Sequence, residues 1–302
     1  MSRMGSGPVN KRSKFGRKER IFGYSVIIPY VAYTAIFWGY PFVWMLILAF
    51  TKWNFFSKPR FVWFDNFLKM FTDKVFLQII LNTLNFLAYL IPMILISSLL
   101  FALALKKVKF GRTFIMLSFL VANVSSGVAY SLLFSNLFAV NGPVNRVFDA
   151  LFGVTIPWFS NPQLAIFSIC LIITWKFIGY YGLILYAGIQ QIPQSLYEAA
   201  ELDGANKKVL FWKITLPLIN PSLVTVTVLA IMLTFGIFTE PYLITGGGPM
   251  QRTTTFMIYM YDTAFKRIDP SYATTVAVVT ALLSYGLVTL IRKTFEREVS
   301  FV

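Results

Sequence analysis

Few residues in this 302-residue chain can do chemistry, and their types say which chemistry is open. There is no histidine and a single cysteine, Cys170. Imidazole metal ligation, histidine phosphotransfer and Ser-His-Asp hydrolysis are therefore excluded. One thiol in an apolar run builds neither a disulfide framework nor a thiolate metal cluster. The glycine cluster Gly246, Gly247, Gly248, Pro249 lacks the Lys and the following helix of a nucleotide phosphate loop. Three features remain. Lys176 stands alone in a long apolar run, Glu240 closes another, and a polar stretch from Gln190 reads QQIPQSLYEAAELDGANKKVLFWKITLPLINPS. An isolated charge in an apolar run pairs or binds, and a short polar helix docks. None of these groups makes or breaks covalent bonds.

Composition decides what carries them. The chain is 57% hydrophobic and 13% charged, against about 25% charged in soluble domains, and its mean hydropathy is +0.68. Charge-free runs of 31, 31 and 33 residues separate Arg20 from Lys52, Lys74 from Lys106 and Arg112 from Arg146. A bilayer core needs roughly 20 apolar residues per helix, so the chain is read as an all-α polytopic membrane protein with six transmembrane helices. They are expected at 24–50, 77–105, 113–138, 163–187, 218–238 and 271–291, with Pro92 kinking the second. The first is too long for a signal-peptide core and lacks small residues at a cleavage site. Domain organisation follows: a basic tail at 1–20 and one six-span unit at 21–302, with no separate soluble domain. The net charge of +15 lies at the ends of apolar runs, which fits membrane orientation and not nucleic acid. Placing both termini in the cytoplasm gives 17 Lys and Arg in 68 inner positions against 9 in 81 outer ones, the positive-inside pattern. The first outer loop, with Lys52, Lys58, Arg60, Lys69 and Lys74, runs against that pattern.

Only one inner loop is long, at about 190–217. Pro193 and Ser195 open a helix there, with Ser195 as its cap and Glu198 at capping-box spacing. Tyr197, Ala200 and Leu202 alternate with Glu198, Glu201 and Asp203, and Gly204 supplies a left-handed stop. A second amphipathic piece spans 207–214. By composition such a segment either docks to a cytoplasmic partner or lies in the headgroups on Phe211 and Trp212.

The stretch resembles the EAA loop of permease subunits of binding-protein-dependent ABC importers: E-A-A, three residues, G, nine residues, I-x-L-P. Glu198, Ala199, Ala200, Gly204, Ile214, Leu216 and Pro217 stand at its seven fixed positions, with Asp203 and Ala205 flanking the glycine. The resemblance continues through 61–86 (FVWFDNFLKMFTDKVFLQIILNTLNF), although Trp63 stands where that family usually has Gly. It continues also through 242–265, which is similar to the outer-loop signature of the first permease subunit in carbohydrate importers. It implies a type I ABC importer permease fold in a bacterial cytoplasmic membrane. It further implies a second homologous permease, two ATPase subunits gripping residues 195–205, an extracytoplasmic solute-binding protein, and ATP and Mg held by the ATPases with no cofactor on this chain. The extra N-terminal spans and large outer domain of the maltose subunit are absent, so the implied cargo is a sugar and not maltose in particular. Glycerol 3-phosphate is the alternative cargo, disfavoured because no Arg lies within the spans.

Polar groups in the spans are the candidate cargo pathway: Asn82 and Asn85; Asn123, Ser125 and Ser126; Thr174, Trp175, Lys176, Tyr180 and Tyr181; Thr234 and Glu240. Aromatics beside amides suit sugar rings, but the aromatics equally suit lipid contact and span packing. Lys176 has three readings: it snorkels to the surface, pairs with a carboxylate of the second permease, or reaches the cargo. Glu240 reads as a gate or binding-protein contact, or as a proton carrier. The glycines at 246–248 read as a tight outer turn or as a sugar contact. An ion-coupled carrier would need carboxylates within its spans, and a membrane enzyme a nucleophile–base set; the chain offers neither.

Overall fold

Apolar stretches of this length find no water in a bilayer to bond their peptide groups, so they satisfy themselves as helices. A computed structural model describes residues 16–296; residues 1–15, most of the expected basic tail, and 297–302 lie outside the described residues. Helix α1 (Arg17–Thr34) passes through a π-helical turn (Ala35–Gly39) into α2 (Tyr40–Ala49). A two-stranded hairpin, β1 (Thr51–Lys52) and β2 (Arg60–Phe61), pairs Thr51 with Phe61 and Lys52 with Arg60. Next come α3 (Asp65–Thr72), α4 (Lys74–Lys107), α5 (Arg112–Val124), α6 (Gly127–Leu137), α7 (Pro143–Phe152) and α8 (Pro162–Gln190). Then follow α9 (Gln194–Leu202), α10 (Lys207–Val209), a π turn (Leu210–Thr215), α11 (Leu216–Leu218) and α12 (Asn220–Gly236). The chain closes with α13 (Thr239–Thr245), α14 (Phe256–Tyr261) and α15 (Pro270–Phe295).

Four helical stretches are long and apolar enough to cross a membrane: Ile21–Ala49, α4, α8 and α15. Two bent pairs bring the number to as many as six: α5 with α6, at 96°, and Lys207–Leu218 with α12, at 63°. The expected continuous span over 113–138 is thus corrected to a broken one. Its break has a local cause. The Ser125 hydroxyl donates to the Ala122 carbonyl at 2.7 Å, Ser125 and Ser126 take extended ψ angles of 153° and 124°, and Gly127 follows. Side-chain bonding of this kind offers the backbone an alternative to the helix. Pro92 does not interrupt α4.

Helix α8 is the centre of the bundle: 56% of its apolar window is buried, against 6% for the first stretch. It packs along α4, where buried Phe86, Leu90, Ile94, Phe101 and Leu105 recur at helical spacing and meet Ile166, Ile169, Ile173 and Leu185 of α8. Glycines set the closest approaches. A Cβ on Gly179 would lie 2.7 to 2.9 Å from Phe119 Cβ and from its backbone carbonyl, and one on Gly182 would strike the Phe101 ring.

A polar clamp joins the other ends of the spans. Asp73 caps α4 through the N–H groups of Val75 and Phe76. It also accepts hydrogen bonds from the hydroxyls of Tyr259 and, at 2.9 Å, Tyr272. Burial pushes its pKa up, but these hydrogen bonds outweigh burial and hold Asp73 below the usual carboxylate range. The Tyr259 hydroxyl is pushed up to about 12 by burial first and by its bond to Asp73 second.

Two outcomes follow for thermal unfolding in detergent. Gly179→Ala should cost about 1–3 kcal/mol, while Gly286→Ala, which meets nothing within 4 Å, should not destabilise; equal melting of the two would refute the close approach. Asp73 is depressed in the folded state, so its contribution is full above the unfolded pKa of about 3.9 and is lost as pH falls through the folded value. Asp73→Asn keeps a competent helix cap but loses the charge that the two tyrosine hydroxyls bond, so it should lower stability by about 1 kcal/mol at pH 7 and flatten that acid limb. An unchanged limb would remove the clamp.

Candidate functional site

The loop of about 190–217 folds as a helix, a glycine stop and a bent return. Helix α9 begins two residues earlier than the capping-box spacing predicts: Pro193, at φ −58°, is the N-cap, and no side chain caps the helix. The expected Ser195 cap is corrected accordingly, because the proline ring presets the backbone at the position before Gln194. The predicted stop is present. Gly204 adopts φ +81°, and the N–H groups of Gly204 and Ala205 bond back to the carbonyls of Glu201 and Ala200 at 3.0 and 2.9 Å. This is the Schellman pattern, which favours glycine.

One residue anchors the helix. Tyr197 is 8% exposed, shares a 3.0 Å hydrogen bond with Thr215 and lies under the Lys106 ammonium at 4.2 Å. Ala200, Ala205 and Ile214 pack with it against the core of the bundle. The opposite side is left bare: Glu198, Ala199, Glu201, Asp203, Gly204 and Pro217 are exposed, and Leu202 is 90% exposed. Leu202 therefore does not share the apolar side with Tyr197 as the sequence suggests. Leu216 is half-buried. Asn206 caps the return helix through the N–H groups of Lys208 and Val209.

A second polar site lies where the two broken spans meet α8. Lys176 Nζ is 2.8 Å from Glu240 Oε1, with side chains 12% and 9% exposed. Lys176 thus pairs inside its own chain, an arrangement none of the three sequence readings contains. Glu240 is neither free nor at the surface. It reaches the lysine because α12 stops at Gly236 and α13 restarts at Thr239, while Gly127, at the head of α6, lets the two elements approach. A Cβ there would lie 3.2 Å from Thr239 and 3.6 Å from Lys176 Nζ. The Tyr130 ring sits 5.5 Å from the ammonium, and its hydroxyl donates to the Ile172 carbonyl at 2.9 Å.

The remaining pathway candidates separate. Trp175 and Tyr180 are exposed, as are Ser125 and Ser126; Asn123 is half-buried and Tyr181 buried. Thr174 is buried with no hydrogen-bond partner for its hydroxyl. Thr234 is spent on the Ala230 carbonyl. Asn82, fully buried, donates to the carbonyls of Gln251 and Thr254 and accepts from Gln78, so it ties down the 246–255 loop. In that loop Gly246 and Gly247 take φ +61° and +86°, and a Cβ on Gly247 would lie 2.7 Å from the Thr254 hydroxyl. It is a tight turn braced by Thr253 and Thr254, whose hydroxyls donate to Gly248 and Gly247; Pro249 completes it. Asn85 lines a cavity of about 690 Å³ with Tyr89, Asn161, Gln163, Met250 and Arg252. Gly127 and Tyr130 carry no signal in the sequence, whereas Tyr197 was readable from its helical spacing to Ala200.

Residues 70–301 match the family described as binding-protein-dependent transport system inner membrane component. The chain is 32% identical over 280 residues to the lactose transport system permease protein LacF of Rhizobium radiobacter, covering 90% of this chain and 93% of that one. It is 37% identical over 227 residues to the sulfoquinovosyl glycerol transport system permease protein SmoG of Agrobacterium fabrum (strain C58), covering 74% and 73%. Among solved structures, a bacterial ABC transporter involved in import of the acidic polysaccharide alginate superposes with a TM-score of 0.81 at 21% identity, covering 94% of this chain and 98% of that one.

Removing one partner of a buried ion pair leaves the other uncompensated, at about 3–5 kcal/mol. Glu240→Leu should therefore melt far below wild type in detergent, and Lys176→Met with Glu240→Leu should regain most of the loss. A single variant as stable as wild type would show that the pair is not closed inside the protein.

Proposed function

This chain belongs to the binding-protein-dependent transport system inner membrane components, and on that basis we propose that it moves a sugar or oligosaccharide inward by alternating access, driven by partner ATPases. It is an inner-membrane, multi-pass ABC permease subunit. In our reading each bent pair is one crossing, giving six, with both termini and α9 in the cytoplasm; the Lys and Arg distribution supports that orientation. The unit comprises the six-span body at 21–302, preceded by the basic tail.

The observation that carries the reading is α9. Its inner side is pinned by Tyr197, while Glu198, Ala199, Glu201 and Leu202 face outward with nothing of the described chain over them. A separate ATPase subunit, with its bound ATP and Mg, would cover that face. The two alanines permit close approach, Glu198 offers charge-assisted bonds, and the Gly204 stop sets the helix angle. Residues Ile214 to Pro217 would pass the movement into α12. A second permease would complete the pathway and a solute-binding protein would deliver cargo outside. Two named relatives, LacF and SmoG, are permeases for sugar-containing cargo, which supports the saccharide class. Trp175 and Tyr180, exposed on α8 beside the crossing of the broken spans, are the stacking surfaces we assign to it.

The test is the reconstituted complex with its neighbouring subunits and binding protein, assayed for uptake and ATP hydrolysis. Glu198→Lys and Gly204→Asp should insert normally yet lower sugar-stimulated uptake by about tenfold or more, the scale of a lost coupling free energy. Uptake at the wild-type rate in both variants would overturn the coupling role. Stimulation by glycerol 3-phosphate and by no sugar would overturn the cargo class.

A further inference from the structure

The cations of the first outer loop run against the charge pattern of the rest of the chain, and the structure gathers them. Lys52 and Arg60 are directly opposed across the β1–β2 hairpin. Like charges in that position repel. With Lys58 and Arg267 they line a cleft of about 450 Å³ against the start of α15. The one carboxylate there, Asp269, is already engaged: it caps α15 through Tyr272 N–H and lies 3.5 Å from Lys69. Among the described residues, no carboxylate pairs with Lys52, Lys58, Arg60 or Arg267; Arg267 rests over the Tyr259 ring at 5.3 Å. A cleft with this surplus of positive charge calls for an anion.

What adjoins the cleft says which anion. Asn54 and Asp269 line the cleft, and their chain neighbours Phe55 and Pro270 line a second, almost wholly apolar groove of about 470 Å³. That groove runs along Met45, Phe238, Met260, Ala273 and Ala277, from the hairpin down the first two turns of α15. Phe56, Phe61, Trp63 and Phe64 are all exposed around the hairpin, and Trp63 is of the type enriched at headgroup level. A soluble anion would use the cleft and leave the groove empty; a lipid uses both.

We propose that an anionic phospholipid binds here, its phosphate between Lys52, Lys58, Arg60 and Arg267 and one acyl chain in the groove between α14 and α15. This goes beyond the transport reading and holds whatever the cargo. The bound headgroup removes the repulsion across the hairpin and fixes the hairpin on the N-terminal end of α15.

The test uses the full-length protein, purified in detergent, stripped of lipid and titrated by native mass spectrometry. The probes are dioleoylphosphatidylglycerol, dioleoylphosphatidylcholine and chain-free glycerol 1-phosphate. Phosphatidylglycerol should bind about a hundredfold or more tighter than phosphatidylcholine. Each surface cation contributes roughly a fivefold share, so Lys58→Gln with Arg60→Gln should lower phosphatidylglycerol affinity by about tenfold or more and leave phosphatidylcholine unchanged. Both positions are exposed, and circular dichroism checks their folding. Ala277→Phe, which fills the groove, should weaken both lipids; the hairpin variant carries the test alone should this one not fold. Equal binding of the two lipids, or phosphatidylglycerol affinity unmoved by the hairpin substitutions, overturns the proposal. So does glycerol 1-phosphate binding as tightly as the lipid, or an acidic protein displacing the lipid from the cleft without regard to the groove.

Discussion

An ammonium held at bilayer depth needs its counter-charge within a few ångströms, and in this chain that demand fixes three elements at once. Lys176 lies midway along α8, the most buried helix, and its partner Glu240 stands 2.8 Å away. A continuous fifth span would carry residue 240 past the lysine toward the surface. Ending α12 at Gly236 and restarting at Thr239 turns the carboxylate back inward. The head of α6 closes the third side, where a Cβ at 127 would crowd the Thr239 methyl at 3.2 Å. Ion pairs of this kind contribute little net stability against an apolar replacement of the same shape, yet they penalise every arrangement that separates the charges. The pair therefore specifies how the two broken spans cross, more than it strengthens the bundle.

The two ends of the bundle solve a different problem, which is to hold irregular backbone without stranding its polar groups. At one end Asn82 and the run Thr253, Thr254, Thr255 take up loop and span-end carbonyls that no helix can serve. At the other, the Tyr197–Thr215 hydrogen bond and the Lys106 contact tie α9 to both the return segment and the last turn of α4. The position of α9 is thereby fixed by two spans, α4 and α12, and not left to a slack loop.

Much of this was legible in the residues. Long charge-free runs announced the straight helices, because uninterrupted apolar length has few other outcomes. The Gly204 stop was equally readable, since a left-handed backbone after a short polar helix favours glycine. The break at Ser125 and Ser126 was not, because two serines and a glycine in an apolar run are also common in intact membrane helices, and only the partner across the break decides between the two. For the same reason the Lys176–Glu240 pair was out of reach: 64 residues separate its members, and no local pattern links them. Trp63 shows the reverse case. The resemblance placed Gly there, and the structure gives the reason, a φ of +51°, which a bulky residue occupies at some cost.

The first membrane stretch sets a last condition. From Tyr24 to Trp44 every residue is exposed, and only the final turns of α2 meet the body of the protein, through Leu48, Ala49 and the Thr275 hydroxyl that donates to the Ala49 carbonyl. Such an element is moored at one end, and its apolar sides are left for contacts outside this chain. Its hold on the body of the protein thus depends on the last turns of α2 and not on the length of the stretch.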